Sequence, residues 1–423
     1  RRIMEWIQAK NVEKAVIVGG GFIGLEMAEN LKRRNIRVTI IEMQNQVMPA
    51  IDKEMAAFIH DHLEKQDISL LLGSKVAEFK QETDGRLSVI LTSGKSTTAD
   101  LVILCAGVTP RAELAEKAGL ALGERGGIKV DLHMATSNAN IWAVGDAVQV
   151  VEFVTGVPTM VPMAGPANRQ GRLAAEVIMG NADMRRAFRG VQATAVFGVL
   201  GLTVASTGVS EKFLKSIANE TEIGPYEKIY LHPPNHASYY PGAQELSIKL
   251  IFSKKDGKIL GAQALGLAGA EKRIDVISTL IQKRGTVFDL EEAELCYAPQ
   301  YGSAKDPANM AGMIASNILR GLGGIAHWKD LSETDALILD VRTPREYAMG
   351  HVEGALNIPL EVLRERRNEL SRNQEIWTYC YSGQRSYYAT RMLYQYGFNI
   401  RNLSGGYVTY KAVNPDSSTL SSP

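Results

Sequence analysis

Cysteine is scarce in these 423 residues: only Cys105, Cys296 and Cys380 occur. Three scattered thiols cannot build a disulfide framework, and a reducing cytoplasm is the default compartment for such a chain. No Cys/His cluster has the spacing of a zinc site, so no metal is expected. An excess of either charge is also missing. Lys and Arg number 47 against 46 Asp and Glu, a net charge of +1, and no basic stripe marks a nucleic-acid partner. No apolar run reaches the roughly 20 residues that cross a bilayer, so no membrane partner is expected. Internal repeats and a secretory signal pattern are lacking too. Residue 1 is Arg rather than Met, and the expectation is that further sequence precedes it.

What is present is an ordinary globular composition, 45% hydrophobic, long enough for two to four domains. Ala15–Val18 is a short apolar strand that ends in glycines. A helical pattern follows from about Gly24 to Arg34, then a strand at Arg37–Ile41 and a helix from about Asp52 to Gln66. This alternation predicts a βαβ unit with a parallel sheet. Asp84-Gly85 predicts a hairpin turn, and Leu101–Cys105 a closing strand. Further on, a strand is expected at Ile141–Val144 and a helix at about Arg169–Met179. Mixed strands and helices are expected from about Phe188 to Arg320. Gly321–Gly324 reads as a linker. A separate α/β block runs from about Ile325 to Val413, and the Ser- and Pro-containing tail Asn414–Pro423 is expected to fray.

The first motif with chemical content is Gly19-Gly20-Gly21-Phe22-Ile23-Gly24, a G-x-G-x-x-G run between a strand and a helix. Gly19, Gly21 and Gly24 permit a tight turn, backbone approach to a pyrophosphate and close packing. Phe22 and Ile23 lie within the motif and are expected to line the nucleotide, and the helix N-terminus that follows supplies free N–H groups and a partial positive charge. Glu42, at the end of the next strand, stands where a carboxylate accepts from a ribose 2′-hydroxyl and repels a 2′-phosphate. That favours NADH over NADPH. The plainer alternative is a Gly-rich turn with no nucleotide.

Thr136–Ala147, with Gly145-Asp146 at its end, resembles the second flavin signature of the pyridine nucleotide-disulfide oxidoreductases. Leu101–Gly107 with Pro110 resembles the linking strand of that family, and Met163–Arg172 its segment that aims a helix N-terminus at the flavin ring. The resemblance is to the coenzyme A disulfide reductase and persulfide reductase branch in its rhodanese-fused form, from Asn11 to about Val413. It implies an α/β fold: a Rossmann-like reductase with two dinucleotide-binding domains, an α+β dimerisation domain and a C-terminal α/β rhodanese domain. The expected segments are 1–108 for NAD, 109–187 for the remaining part of the FAD domain, 188–320 for dimerisation and 325–413 for the rhodanese. It also implies FAD held by Gly107, Gly145, Asp146, Met163 and Ala164, and a homodimer. Coenzyme A is implied as bound thiol or carrier, with sulfane-sulfur small molecules as substrates. Family members begin with another G-x-G-x-x-G unit and a redox Cys. Neither lies before Gly19 here, so these 423 residues are expected to retain FAD poorly by themselves.

Two tyrosine-bearing segments, His236–Gly242 and Tyr297–Tyr301, resemble those that steady the coenzyme A sulfur across the dimer. Tyr239 and Tyr297 are the chosen pair, with Tyr240 and Tyr301 as alternatives; Gln300 stands where the family has a second Pro. Asp340-Val341-Arg342, Gly350–Ala355 and Asn357-Ile358-Pro359 resemble the rhodanese pattern. Its catalytic loop would be Cys380-Tyr381-Ser382-Gly383-Gln384-Arg385. Converging backbone N–H groups and Arg385 would favour the Cys380 thiolate, which is the nucleophile. Cys-x4-Arg is one residue shorter than the phosphatase loop and argues for sulfur. His351 and Cys105 are expected to be structural.

Overall fold

A computed structural model describes residues 2–180, 187–218 and 223–414; the tail expected to fray lies beyond them, apart from Asn414. The first unit is a parallel sheet centred on Lys14–Val18, whose apolar middle is fully buried. That strand pairs with Arg37–Ile41 on one side and Leu101–Leu104 on the other, and Ser69–Leu71 pairs with Arg37–Ile41. A strand covered on both faces reads as a continuous apolar run. The helix Phe22–Lys32 turns Leu25, Ala28 and Leu31 inward, and the helix Lys53–Lys65 turns Met55, Ala56, Ile59 and Leu63 inward. Asp84-Gly85 closes the hairpin of Val76–Gln81 and Leu87–Leu91, with Gly85 at φ +86°.

The next stretch departs from expectation in two places. Ile141–Val144 is not a strand: among the described residues only Trp142 makes a bridge there, to Ala135. An apolar run needs a neighbour's backbone to become a ladder, and the small sheet of Ile128–Lys129, Val148–Val151 and Pro158–Thr159 does not reach it. The helix expected from Arg169 begins at Ala164 and runs to Ile178. The Gly165-Pro166 pair, which suggests a loop, is tolerated because Pro fits a helix's first turn. Likewise Gly324, expected in a linker, opens the strand Gly324–Ala326.

A five-stranded antiparallel sheet follows, in the order Ala195–Val199, Leu202–Gly208, Ile259–Gly266, Leu246–Ser253, Tyr226–Leu231. Side chains alternate between its faces. Ile229, Ile248, Leu250, Ala262 and Ala264 pack against the helices Ala270–Gln282, Val287–Glu292 and Pro307–Leu319. The register sets Tyr230, Lys249 and Gln263 in one row on the opposite face, toward the nucleotide unit. The C-terminal unit is an all-parallel sheet of Gly324–Ala326, Ile400–Leu403, Ile376–Tyr379, Leu337–Asp340 and Leu356–Asn357.

Buried polar contacts join the units. Lys249, fully buried, lies 2.9 Å from Asp52, 3.0 Å from Glu211 and 3.4 Å from Glu54. Lys228 lies 2.5 Å from Glu211. Asp52 precedes the helix Lys53–Lys65, and its carboxylate accepts from Glu211 N, Lys212 N and the Gln263 amide. Burial alone would raise the Glu211 carboxyl, but the ammonium groups of Lys249 and Lys228 hold it well below the usual carboxylate range. Lys249→Met leaves these carboxylates buried with one cation removed. Urea unfolding at neutral pH should show a loss of about 3–5 kcal/mol. Because the folded Glu211 value is depressed, its contribution is present above the unfolded value of about 4.3 and is lost as pH falls through the folded one. The gap between wild type and variant should therefore shrink in acid; a gap that is absent at neutral pH would contradict this account.

Candidate active site

Both nucleotide motifs open onto one cleft of about 990 Å3. Gly21, Phe22, Ile23, Gly107 and Asp146 line it together with Cys105, Met160 and Pro162. Phe22, Met160 and Pro162 also line an adjoining cavity of about 370 Å3 that includes Met163. The glycines have separate reasons. Gly19 sits at φ +112°, and a Cβ there would overlap the Cys105 carbonyl; a Cβ on Gly24 would overlap the Gly19 carbonyl. A Cβ on Gly21 would meet nothing within 4 Å, so that face is open to a ligand. No side chain caps the helix Phe22–Lys32, whose first N–H groups lack intrahelical partners.

Glu42 is buried and already accepts from Gly20 N at 2.7 Å and Gln44 N at 2.8 Å. A carboxylate has about four acceptor sites, which leaves capacity for a ribose hydroxyl. These features fit a pyridine dinucleotide. Gly145 stands at φ +89° and donates to Gln170 at 2.7 Å. Gln170, buried on the helix Ala164–Ile178, thereby orients the turn that exposes Asp146. Met163 precedes that helix without a side-chain cap, and Ala164 and Gly165 are exposed at its start. An exposed carboxylate fits the polyol of a flavin, and an uncapped helix start fits the negative charge of its reduced ring. Three contributors were not singled out from sequence: Gln170, and the cleft-lining cations Arg111 and Arg125. A lone Gln or Arg outside a motif gives no signal before the fold brings it to the cleft.

Cys105, expected in the core, is half-buried at the cleft wall, and burial pushes its thiol up. Tyr239 and Tyr297, far apart in sequence, meet with their hydroxyls 3.0 Å apart. Both are exposed, and the bond from Tyr239 raises the Tyr297 phenol. Neither lines the nucleotide cleft or its adjoining cavity. Tyr240 instead packs edge-on against His236.

Cys380 follows the buried strand Ile376–Tyr379 and is itself buried. Gly383, at φ +99°, turns the loop so that its N–H points at Sγ, 3.2 Å away, while the Ser386 hydroxyl lies at 3.5 Å. Gly405 and Gly406 back the loop: a Cβ on Gly406 would crowd the Cys380 carbonyl and Gly383 N at 2.6 and 2.7 Å. Arg385 acts on the sulfur through charge rather than through a hydrogen bond. Its guanidinium does not bond the sulfur but grips Glu346, with Nη2 at 2.5 Å from Oε1 and Nη1 at 2.8 Å from Oε2. A bidentate carboxylate is the strongest partner within reach. His351 stacks on Tyr347, with ring centroids 3.8 Å apart. Arg342 pairs with buried Asp340 and bonds the Gly350 carbonyl.

A parallel βαβ sheet with a glycine turn, an antiparallel sheet covered by helices and a Cys-bearing α/β unit together define a nucleotide-dependent oxidoreductase scaffold joined to a separate α/β domain. Family models agree: residues 4–167 match the pyridine nucleotide-disulphide oxidoreductases, 194–308 their dimerisation domain and 326–413 the rhodanese-like domain. The chain belongs to the pyridine nucleotide-disulphide oxidoreductase family and carries a rhodanese-like domain at its C-terminal end. It is similar to a Bacillus anthracis protein described as reduced CoADR-RHD, at 45% identity and TM-score 0.94, covering 98% of this chain and 73% of that one. An A. fulgidus NAD-dependent persulfide reductase is 38% identical with TM-score 0.87, covering 97% and 73%. Coenzyme A disulfide reductase of Staphylococcus epidermidis is 31% identical over 307 residues, 73% of this chain and 67% of that protein. The family implies a flavin and a pyridine nucleotide. Among the described residues no helix is long and apolar enough to cross a membrane.

Titration with NADH and NADPH should favour NADH. Glu42→Ala should narrow the gap by an amount on the order of 1–3 kcal/mol, the cost of losing a charged hydrogen-bond partner. Equal affinities in the wild type would contradict the role of Glu42.

Proposed function

We propose that the protein is an FAD- and NADH-dependent reductase of coenzyme A persulfide, polysulfides or related disulfides, coupled to sulfane-sulfur transfer at Cys380. The observation that carries this reading is the coexistence, in one chain, of a two-motif nucleotide cleft and a Cys380 loop whose N–H and hydroxyl point at sulfur. The overall conversion is R–S–SH with NADH and a proton giving R–SH, hydrogen sulfide and NAD+. A bound flavin would relay the two electrons. Gly19–Gly24 and Glu42 bind and orient the nicotinamide nucleotide. Gly107, Gly145, Asp146 and the start of the helix Ala164–Ile178 hold the flavin side. Tyr239 and Tyr297 donate to a sulfur species held by the other subunit of a homodimer, because a phenol can donate to a thiolate and a two-fold interface exchanges the same surface both ways. Cys380 takes up or hands on the sulfane sulfur.

A second reading, coenzyme A disulfide reduction or NADH oxidation with a sensing rhodanese domain, is favoured by the similarity to the reductase of S. epidermidis and to an NADH oxidase of Methanocaldococcus jannaschii, 35% identical over 312 residues. Offering coenzyme A persulfide, coenzyme A disulfide and dioxygen in parallel to the flavin-loaded dimer separates the two. The proposal expects NADH-dependent sulfide release to be fastest with the persulfide.

Cys380→Ser should abolish sulfur transfer from an organic persulfide to cyanide, since a hydroxyl cannot store sulfane sulfur; thiocyanate formation at the wild-type rate would remove the assignment. In an intact, flavin-loaded enzyme, Tyr→Phe at both 239 and 297 should spare NADH-to-flavin transfer, followed by flavin absorbance. It should slow turnover of the sulfur substrate by at least roughly 10- to 100-fold, the scale of a single lost hydrogen bond to a charged group. Unchanged turnover would leave the pair as surface packing.

A further inference from the structure

The electrostatics of the Cys380 loop limit which sulfur donors it accepts. From Cys380 to Arg385 the loop contains one cation, Arg385. Both of its terminal nitrogens are spent on Glu346, at 2.8 and 2.5 Å. Glu346 is held from the other side as well. It belongs to the helix Pro344–Ala348, where its Oε2 also accepts from Thr343 N at 3.0 Å and Thr343 Oγ1 at 2.8 Å in a capping box. The carboxylate is therefore placed by backbone and cannot swing aside without uncapping the helix. The guanidinium beside it holds the Glu346 carboxyl down to about 2, so the pair stays fully charged at neutral pH. The Cys380 sulfur and the Glu361 carboxylate also act on the Arg385 guanidinium through charge, and Glu245 acts on Tyr381.

On its other side the loop borders a cavity of about 340 Å3 between the Cys380 domain and the helix Pro307–Leu319. Met310, Met313, Ile314 and Tyr387 line it beside Gly383 and Gln384, and Lys305 is the only Lys or Arg among its lining residues. A small dianion would thus find its nearest loop cation already neutralised. An organic thiol would find apolar and aromatic wall.

We propose that Glu346, as a positioning residue, sequesters Arg385 so that the Cys380 centre takes its sulfur from persulfides of organic thiols and discriminates against small dianionic donors such as thiosulfate. The inference rests on the sulfur-transfer reading of Cys380. In the favoured step the Cys380 thiolate attacks the outer sulfur of R–S–SH. The donor's S–S bond breaks, R–S− leaves with its R–S bond intact, and the persulfide of Cys380 (Cys–S–SH) forms, with one negative charge on each side. With thiosulfate the same attack gives Cys380–S–S− and sulfite. Three negative charges must then converge beside a loop whose own cation is already paired, with Lys305 of the bordering cavity the one further Lys or Arg lining it.

The test is cyanide-trapped sulfur transfer by the full chain, with glutathione persulfide and with thiosulfate as donors. In the wild type kcat/KM for the persulfide should exceed that for thiosulfate by roughly 100-fold or more, the scale of an uncompensated charge contact. Glu346→Gln keeps the shape and an acceptor for the Thr343 cap but frees Arg385. It should raise kcat/KM for thiosulfate at least roughly tenfold, mainly through KM, and this gain should fade with added salt. The persulfide value should move little, and Glu346→Asp, which keeps the charge, should stay near the wild-type ratio. A wild type that uses thiosulfate as well as the persulfide overturns the inference, and so does a Glu346→Gln protein with an unchanged donor ratio. The wild-type ratio needs no variant to fold. Transfer that survives Cys380→Ser with both donors removes the sulfur-transfer reading itself, and the inference with it.

Discussion

Lys249 occupies the middle of the buried strand Leu246–Ser253, between the apolar residues Ile248 and Leu250. An ammonium group there is tolerable only because Asp52, Glu54 and Glu211 surround it. Burial alone would drive the lysine toward its neutral form; the carboxylates and the Tyr230 phenol reverse this and push it above its usual value. The carboxylates come from two units. Asp52 and Glu54 belong to the nucleotide-binding part, while Glu211 belongs to the unit whose antiparallel sheet carries Lys249. Neither partner set is complete alone, so the charges specify one docking of the two units as well as stabilising it. Apolar packing follows the same seam: Leu25, Ala28 and Leu31 share a core with Phe197, Val199 and Val204.

That docking positions the chemistry. The cavity that continues the nucleotide cleft is walled by Phe22 from one unit and by Ser206, Ala262 and Gln263 from the other. Gln263 is also the residue that exchanges hydrogen bonds with Asp52, donating at 2.7 Å and accepting from its N–H at 2.9 Å. The charge lock and the cleft wall are thus one piece of structure. The rhodanese-like domain is tied to the same sheet. Tyr230 N donates to Ser404 Oγ at 2.9 Å, and fully buried His232 bridges Ser247 and Thr409. Burial lowers the His232 imidazole to about 3, so this bridge is neutral and does not titrate near physiological pH. Ser404 is followed directly by Gly405 and Gly406, which back the Cys380 loop.

Elements with local signals were legible before any coordinates. Phe22–Lys32 and Lys53–Lys65 follow from apolar spacing and flanking turns. The G-x-G-x-x-G turn follows from conformations that only glycine adopts cheaply. The Cys380 loop follows from a strand, a Cys, a Gly and a helix in order. Two local readings failed for nonlocal reasons. Ile141–Val144 is apolar enough for a strand, but no described neighbour offers it a ladder. The helix Ala164–Ile178 begins at residues that resemble a loop, because a Gly-Pro pair is as acceptable in a helix's first turn as in a coil.

The sequence by itself determined the glycine turns and the Cys380 loop through local spacing, and its resemblance to a known family supplied the order of domains and Tyr239 and Tyr297 as residues worth testing. Only the tertiary structure decided how those residues are used. It brought Tyr239 and Tyr297, 58 positions apart, to hydrogen-bonding distance, and it placed Gln170 behind the Gly145 turn. It paired Arg385 with Glu346, 39 residues earlier, while the guanidinium still acts on the Cys380 sulfur through charge. A hydrogen bond or an ion pair depends on distance in space, and no periodicity in the chain records which distant carboxylate will stand beside which guanidinium.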